Sequence, residues 1–379
     1  MNIPRLIESG VKDKLLHDKR VIVLYGPRQV GKTTLAKKIV FDSGKKTLEL
    51  SGDNPRVQEV WASQDLRRIE DLVSGYEIVF LDEAQKIPDI GASLKLLHDS
   101  TFSGNLLITG SSSLDLAGRT KEALTGRTWT FTLYPIAFAE RTIFETPYEI
   151  DGHREETLVL GSYPALASMP LRQDRIAHLV ELCSAYLYKD ILDLAGIRNP
   201  RKLRDLLRLL AYQAGSEVSY QELGRQTGMS ADTVISWIDL LEKTFVVFRM
   251  GGYSRNLRKE ISKKDKVYFF DNGVRNALIE DFKEWPLRGD QGALWENFLV
   301  SERKKANAYK GFYGGSWFWR THSGAELDYV EECDGKLSGF EFKLRQKDIK
   351  APSGWTSAYP DASFQTIHPG NYLDFVVRK

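Results

Sequence analysis

Cysteine is nearly absent. The 379 residues hold two, Cys183 and Cys333, far apart and with no metal-binding spacing. Such a pair excludes a disulfide scaffold and a zinc finger, and it fits free thiols in a reducing, cytoplasmic setting. Long apolar runs are missing as well: none approaches the ~20 residues of a membrane span, so no membrane partner is expected. The opening MNIPRLIESGVKDKLL lacks a signal peptide's uninterrupted apolar core. Excess charge of one sign is also lacking, with a formal net charge of +2. Residues 1–195 carry 24 Lys and Arg against 27 Asp and Glu, whereas residues 196–379 carry 29 against 24. That asymmetry is compatible with a C-terminal half facing nucleic acid, but it is too mild to demand one. What is present, 42% hydrophobic and 27% charged residues with 11% aromatics, is the composition of a folded globular chain. At this length two or three domains are expected.

The stretch VIVLYGPRQVGKTTLAKKIV begins with an apolar run, Val21 to Tyr25, that reads as a buried parallel strand. It continues into Gly26-x4-Gly31-Lys32-Thr33, the full P-loop pattern, and then into a helical pattern. Strand, glycine loop and helix are the context this motif requires. The expected phosphate cradle is Gly26, Pro27, Arg28, Gln29, Val30, Gly31, Lys32, Thr33 and Thr34. Its backbone N–H groups and the helix N-terminus would face the phosphates. Lys32 would reach the β- and γ-phosphates, and the Thr33 hydroxyl would ligate Mg2+.

A second apolar strand, Ile78 to Leu81, ends in Asp82-Glu83. Asp82 is expected to hold Mg2+ and Glu83 to polarise the attacking water, the minimum pair for hydrolysis. A third, NLLITGSSS, ends in polar residues, so Thr109 or Ser111 is a candidate sensor of the γ-phosphate. KTLELSGD and RTWTFTLYP supply further strands. A parallel sheet with crossover helices follows, with ligand at the C-terminal edge of its strands. No Asn-Lys-x-Asp guanine reader is present, which favours ATP. Arg127 and Arg119 are candidates for a positive charge on the γ-phosphate. Arg127 acting in trans would require neighbouring subunits; acting in cis it would not.

The order of these pieces resembles AAA-type ATPases of the extended P-loop class. Three later tags narrow the resemblance: LTGRTWTFTLYPIAFAE, then Gly161 to Pro164 (GSYP), then Tyr186 to Ile191 (YLYKDI). The chain is similar over nearly its whole length to a large prokaryotic ATPase family whose C-terminal half has long been called a domain of unknown function. The resemblance implies a winged helix followed by a nuclease-like fold of the PD-(D/E)xK type in that half.

Read on its own, the second half begins with helical patterns over 151–195, a lid or linker bundle. Residues 202–250 then carry helix-turn-helix spacing. A short helix over Tyr220 to Thr227 meets a Gly228 turn, and Ser230 caps a second helix that carries Val234, Trp237 and Leu241 inward. FVVFRM and VYFFDNG read as wing strands. Asp232, Thr233, Ser236 and Asp239 fall on the exposed face of the second helix, and two of the four would repel phosphate. A winged helix that binds nucleic acid and one that contacts protein therefore both stay open. The basic run Arg255 to Lys266 is either a phosphate contact or a solvated loop.

The last hundred residues read as a helix with Leu294, Phe298 and Leu299 on its inner face, and then three strands. On the third strand Glu341 and Lys343 share a face, and Asp328 on its neighbour can meet them. Two carboxylates on adjacent strands can hold Mg2+, and a nearby lysine can orient or deprotonate water. The resemblance adds Glu296 and implies Glu296, Asp328 and Glu341 as metal ligands, with Asp328, Glu341 and Lys343 in catalysis. The plain alternative is a hairpin with charges on its wet face.

The expected fold is α/β: a P-loop NTPase parallel sheet with flanking helices, then a winged helix and a smaller nuclease-like α/β domain. The expected boundaries are 1–150, 151–197, 198–285 and 286–379. The leading function is a Mg2+-dependent ATPase switch with Glu83, Lys32 and Arg127 in catalysis, whose C-terminal half acts on or binds DNA or RNA. The alternative is an ATP-dependent scaffold whose nuclease-like domain binds a protein partner and cuts nothing. A homo-oligomer is open to either. A kinase is a weaker third reading, because no acceptor-binding segment is evident.

Overall fold

The computed structural model describes residues 3–111, 124–184, 199–254, 265–321, 324–347 and 349–377. Arg119, the tag Tyr186 to Ile191 and most of the basic run (255–264) lie outside the described residues. The chain forms two compact units. One is residues 1–136 with 243–245, and the other is 137–242 with 246–379.

In the first unit the order is α1 (Glu8–His17), β1 (Val21–Tyr25), α2 (Lys32–Ser43), β2 (Thr47–Ser51), α3 (Pro55–Ala62), α4 (Leu66–Val73), β3 (Ile78–Asp82), α5 (Ile90–His98), β4 (Asn105–Gly110) and β5 (Thr128–Thr132). The strands form one parallel sheet in the order β2-β3-β4-β1-β5. The central strands are apolar on both faces because helices cover both: Val21 to Leu24 and Ile78 to Leu81 are buried throughout. One face packs Val21, Val23, Val79, Leu81 and Ile108 against Trp61, Ile69, Leu94 and Leu97. β4 lies between β1 and β3, so the polar ends of all three strands gather at one edge.

The second unit contains α6 (Arg154–Leu160), α7 (Pro200–Tyr212), α8 (Tyr220–Thr227), α9 (Ala231–Lys243), β6 (Val247–Met250), β7 (Lys266–Phe269), α10 (Asn272–Leu278), α11 (Gln291–Tyr309), β8 (Gly315–Arg320), β9 (Glu326–Cys333), β10 (Lys336–Phe342), α12 (Ser353–Ala358), β11 (Ser363–Ile367) and α13 (Tyr372–Val377). β6 and β7 pair antiparallel after α8 and α9. Ser230 caps α9 by accepting from the Thr233 amide at 3.1 Å. The inward positions on α9 are Val234, Ile238 and Leu241, whereas Trp237 is half-buried. The i, i+4, i+7 stripe runs through Ile238, one residue beyond the expected Trp237.

The four remaining strands form a sheet in the order β11-β10-β9-β8. β8, β9 and β10 are antiparallel, and β11 returns parallel to β10 after α12. Its core gathers Trp319, Leu327, Val330 and Trp355. A buried amide network joins this unit's centre: Asn297 bonds the backbone of Phe269 both ways at 2.8 and 3.1 Å and donates to Asn272 at 2.7 Å. Gly161 of the GSYP tag has φ +72, and a Cβ there would overlap the Asp271 carboxylate, which accepts from the Ser162 amide at 2.7 Å. The glycine is required by that approach.

Candidate functional site

Two groups of polar residues stand out, one in each unit. In the first, β1 ends in a loop bent by Gly26 (φ +148), Gln29 (φ +60) and Gly31 (φ +93). A Cβ on Gly26 would overlap the Leu133 carbonyl just beyond β5. Arg5 holds the same loop. It is buried and donates to the Val30 carbonyl at 2.8 Å and to the Tyr134 carbonyl at 2.6 Å. The LYP piece of the family tag therefore lies against the loop. Pro27, Arg28 and Thr34 complete the segment between β1 and the first turn of α2.

Lys32 is buried at the start of α2, with Nζ donating to the Gly26 and Pro27 carbonyls at 2.9 and 2.8 Å. Burial pushes its pKa down to about 8, against the pull of Glu83 and Asp82. Thr33 Oγ1 donates to both Asp82 oxygens, at 3.0 and 2.9 Å, and Thr109 also donates to Asp82. Glu83 takes a left-handed φ of +51 at the end of β3. Its amide donates to Thr109 Oγ1 at 3.3 Å, and Gln85 Nε2 bridges its carboxylate (2.5 Å) to Ser111 Oγ (3.0 Å). Lys32, Thr33, Asp82, Glu83, Thr109 and Ser111 thus meet at one sheet edge. Arg127 does not join them. It precedes Thr128, which pairs with the first residue of β1, so it stands at the opposite edge of the sheet. There it forms a bidentate pair with Asp99 at 2.7 and 3.0 Å, which holds the Asp99 carboxyl down at about 2.

The second group lies where α11, β7, β9 and β10 meet. Glu296 on α11 accepts from Lys266 Nζ at 3.1 Å and from Tyr268 OH at 2.7 Å. Lys266 also pairs with Glu326 at 2.8 Å. Asp328 on β9 accepts from the Phe342 amide at 2.7 Å, and Lys343 Nζ donates to Glu341 at 2.7 Å. Burial, with Glu296 and Glu341 close by, pushes half-buried Asp328 up to about 8 and also raises Glu296. Burial opposes the charge on Lys266, but Glu296 and Glu326 outweigh it and raise its pKa. The four expected residues do converge, yet among the described residues no three acidic, His or Cys side chains are arranged to hold a metal ion.

Sequence reading did not find Arg5, Gln85, Tyr268 or a basic stripe on α7, and it placed Lys266 in a basic run rather than at the acidic centre. Arg201, Arg204, Arg208 and Tyr212 are all exposed there. Their spacing of three, four and four residues is a readable signal for one helix face. On α9, Asp239 bonds Arg249 of β6, so part of its charge is compensated. Among the described residues no helix is long and apolar enough to cross a membrane.

Residues 18–142 match the AAA domain family, residues 152–284 a domain of unknown function (DUF8612), and residues 291–373 another (DUF4143). An uncharacterized protein of Mycobacterium tuberculosis is 29% identical over 367 residues, covering 95% of this chain and 78% of its own length. An uncharacterized protein of Methanocaldococcus jannaschii is 25% identical over 398 residues, covering 92% and 83%. The solved Walker-type ATPase of Pyrococcus abyssi is 15% identical, with a TM-score of 0.49 over 73% of this chain and 96% of that one. The Thermotoga maritima RuvB Holliday junction branch migration motor is 17% identical, with a TM-score of 0.33 over 64% and 88%. With its P-loop and parallel sheet, the chain carries an AAA-type P-loop ATPase domain over residues 18–142, followed by a DUF4143 domain over residues 291–373.

Proposed function

We propose that the chain is an ATP-driven switch: ATP binding closes the core around Lys32, Thr33 and Asp82, and hydrolysis through Glu83 releases it. The observation that carries this reading is the Asp82 carboxylate, which accepts from Thr33 at 2.9 Å beside a buried Lys32. A lysine for the phosphates, a hydroxyl facing a carboxylate, and a second carboxylate next in the chain suit phosphoryl transfer to water. Thr33 and Asp82 fit Mg2+, an ion that takes few protein oxygens. When bound, Mg2+ would supply charge neutralisation for the phosphates. Glu83 orients the attacking water and accepts its proton; Gln85, itself bonded to Ser111, fixes the Glu83 carboxylate, and Thr109 fixes that of Asp82. In the test, ATP turnover is followed with and without Mg2+. Glu83→Gln is expected to lower kcat by about 10²–10⁴-fold while ATP still binds, and Lys32→Ala to weaken binding itself. Full turnover by Glu83→Gln would sink the assignment. Arg127, at the far edge of its own sheet, is left with a role only toward a neighbouring copy, which would require a homo-oligomer.

The effector is the C-terminal half, read here as binding nucleic acid. Supporting this are α8, α9 and the β6-β7 hairpin over 198–285, which have winged-helix order, and the α11-β8-β9-β10-α12-β11 order over 286–379, which suits a nuclease-like fold. The arginine stripe of α7, with its exposed tyrosine, offers groups for phosphate binding and base stacking. A second reading, a scaffold that binds a protein partner through an inactive nuclease-like domain, is favoured by the pairing of Glu296 with Lys266.

A further inference from the structure

Lys266 lies outside the four-residue nuclease-like set, yet its ammonium sits inside that set. It opens β7, and its side chain is only 4% exposed. Nζ stands 3.1 Å from Glu296, 2.8 Å from Glu326 and 5.3 Å from the centre of the Phe318 ring. Tyr268 lies two residues on, so it projects from the same face of β7 and bonds Glu296 at 2.7 Å. Gly215, whose amide donates to the Val267 carbonyl at 3.0 Å, has φ +79, and a Cβ on it would stand 3.2 Å from the Glu296 carboxyl carbon. The 215 turn and β7 therefore close over one side of the acidic centre.

We propose that Lys266 is the built-in cation of this centre, which takes the place of a divalent metal ion and leaves the site metal-free. Each of the three carboxylates expected as metal ligands already accepts from at least one donor of the chain. Glu296 is bonded to an ammonium and a phenol, Asp328 to a backbone amide, and Glu341 through Oε1 to Lys343, while its Oε2 is buried with no hydrogen-bond partner. A divalent ion entering here would meet two ammonium groups and would have to displace donors that Glu296 and Asp328 already hold. Buried ion pairs of this kind are hard to break, because the partner left behind keeps an uncompensated charge. The centre therefore makes no metal-activated water, and the surrounding domain recognises its partner without metal-dependent cutting. This inference concerns the acidic centre of the second unit and does not depend on ATP hydrolysis.

The test is Mn2+ binding to the full, nucleotide-free chain, followed by electron paramagnetic resonance. Asp328→Asn serves to separate this centre from the P-loop. Wild type is expected to show no Mn2+ whose binding depends on Asp328. Lys266→Met is expected to gain one such ion per chain, at least tenfold tighter than any in wild type, and to lose it again in Lys266→Met/Asp328→Asn. Lys266→Arg keeps the charge and should gain none. An Asp328-dependent ion in wild type, or no gain in a folded Lys266→Met, overturns the proposal. If Lys266→Met does not fold, the wild-type and Asp328→Asn pair still decides. Mg2+-dependent strand cutting that Asp328→Asn abolishes would also overturn it, while leaving nucleic-acid binding intact.

Discussion

Asp82 and Asp328 are both carboxylates at a strand's polar face, and their surroundings give them different tasks. Asp82 accepts from two hydroxyls, Thr33 and Thr109. Asp328 is crowded by burial, Glu296 and Glu341, and its pKa rises from the usual 3.8 to about 8. Between those values the folded chain keeps a proton that the unfolded chain has released. Stability is therefore lost as pH rises through that window. Asp328→Asn removes the proton exchange. In thermal melts without divalent metal, wild type should lose at least about 1.4 kcal/mol relative to Asp328→Asn between pH 5 and 8. Parallel curves for the two proteins would show that Asp328 is ionised in the folded chain. Gln85 invites a second test at this scale, because it links the Glu83 carboxylate to Ser111. If it positions the base, Gln85→Ala changes kcat and leaves KM for ATP within about twofold. A change in KM with kcat unmoved would make it a binding residue instead.

Single elements act through the loop they carry. The loop from β1 into α2 is held from outside by Arg5 and by the backbone beyond β5. Arg5→Ala leaves two buried carbonyls without their donor, at a cost of about 1–3 kcal/mol, and should raise KM for ATP together with the drop in melting temperature. Gly26→Ala meets both a forbidden backbone region and the Leu133 carbonyl. It should weaken nucleotide binding more than tenfold, measured with a fluorescent ATP analogue, for a strain of about 1–3 kcal/mol. The strand-loop-helix unit is legible in the sequence because its signal is local: an apolar run, two glycines and a helical pattern, all contiguous. The alternation on β10 is legible for the same reason, and it puts Glu341 beside Lys343. Arg5 is not legible, since its partners lie 25 and 129 residues away. Lys266 reaches Glu296 across 30 residues, and in the sequence it is one of several lysines in a basic run. On α9 the sequence yields the right face, with Val234 and Leu241 inward, but misplaces its middle residue, because Trp237 is large enough to look like core while Ile238 sits deeper.

For the whole molecule the question is what the second unit grips. Arg201, Arg204 and Arg208 share one exposed face of α7 with Tyr212, which is 62% exposed. Arginines there would release counterions from a phosphate backbone, so affinity should fall steeply with salt. Replacing the three by glutamine should flatten the slope of log K against log salt by ~1 for each phosphate that is no longer neutralised. Tyr212→Ala should cost about 1–3 kcal/mol on single strands and little on duplex, because stacking needs an open base. ATP turnover by the full chain should respond to the bound strand, and the strand should stay intact, because Lys266 holds the acidic centre. A salt slope unchanged by the triple substitution would make the stripe an ordinary solvated face. The scaffold reading would then be the stronger one, since neither the α7 arginines nor the acidic centre would engage nucleic acid.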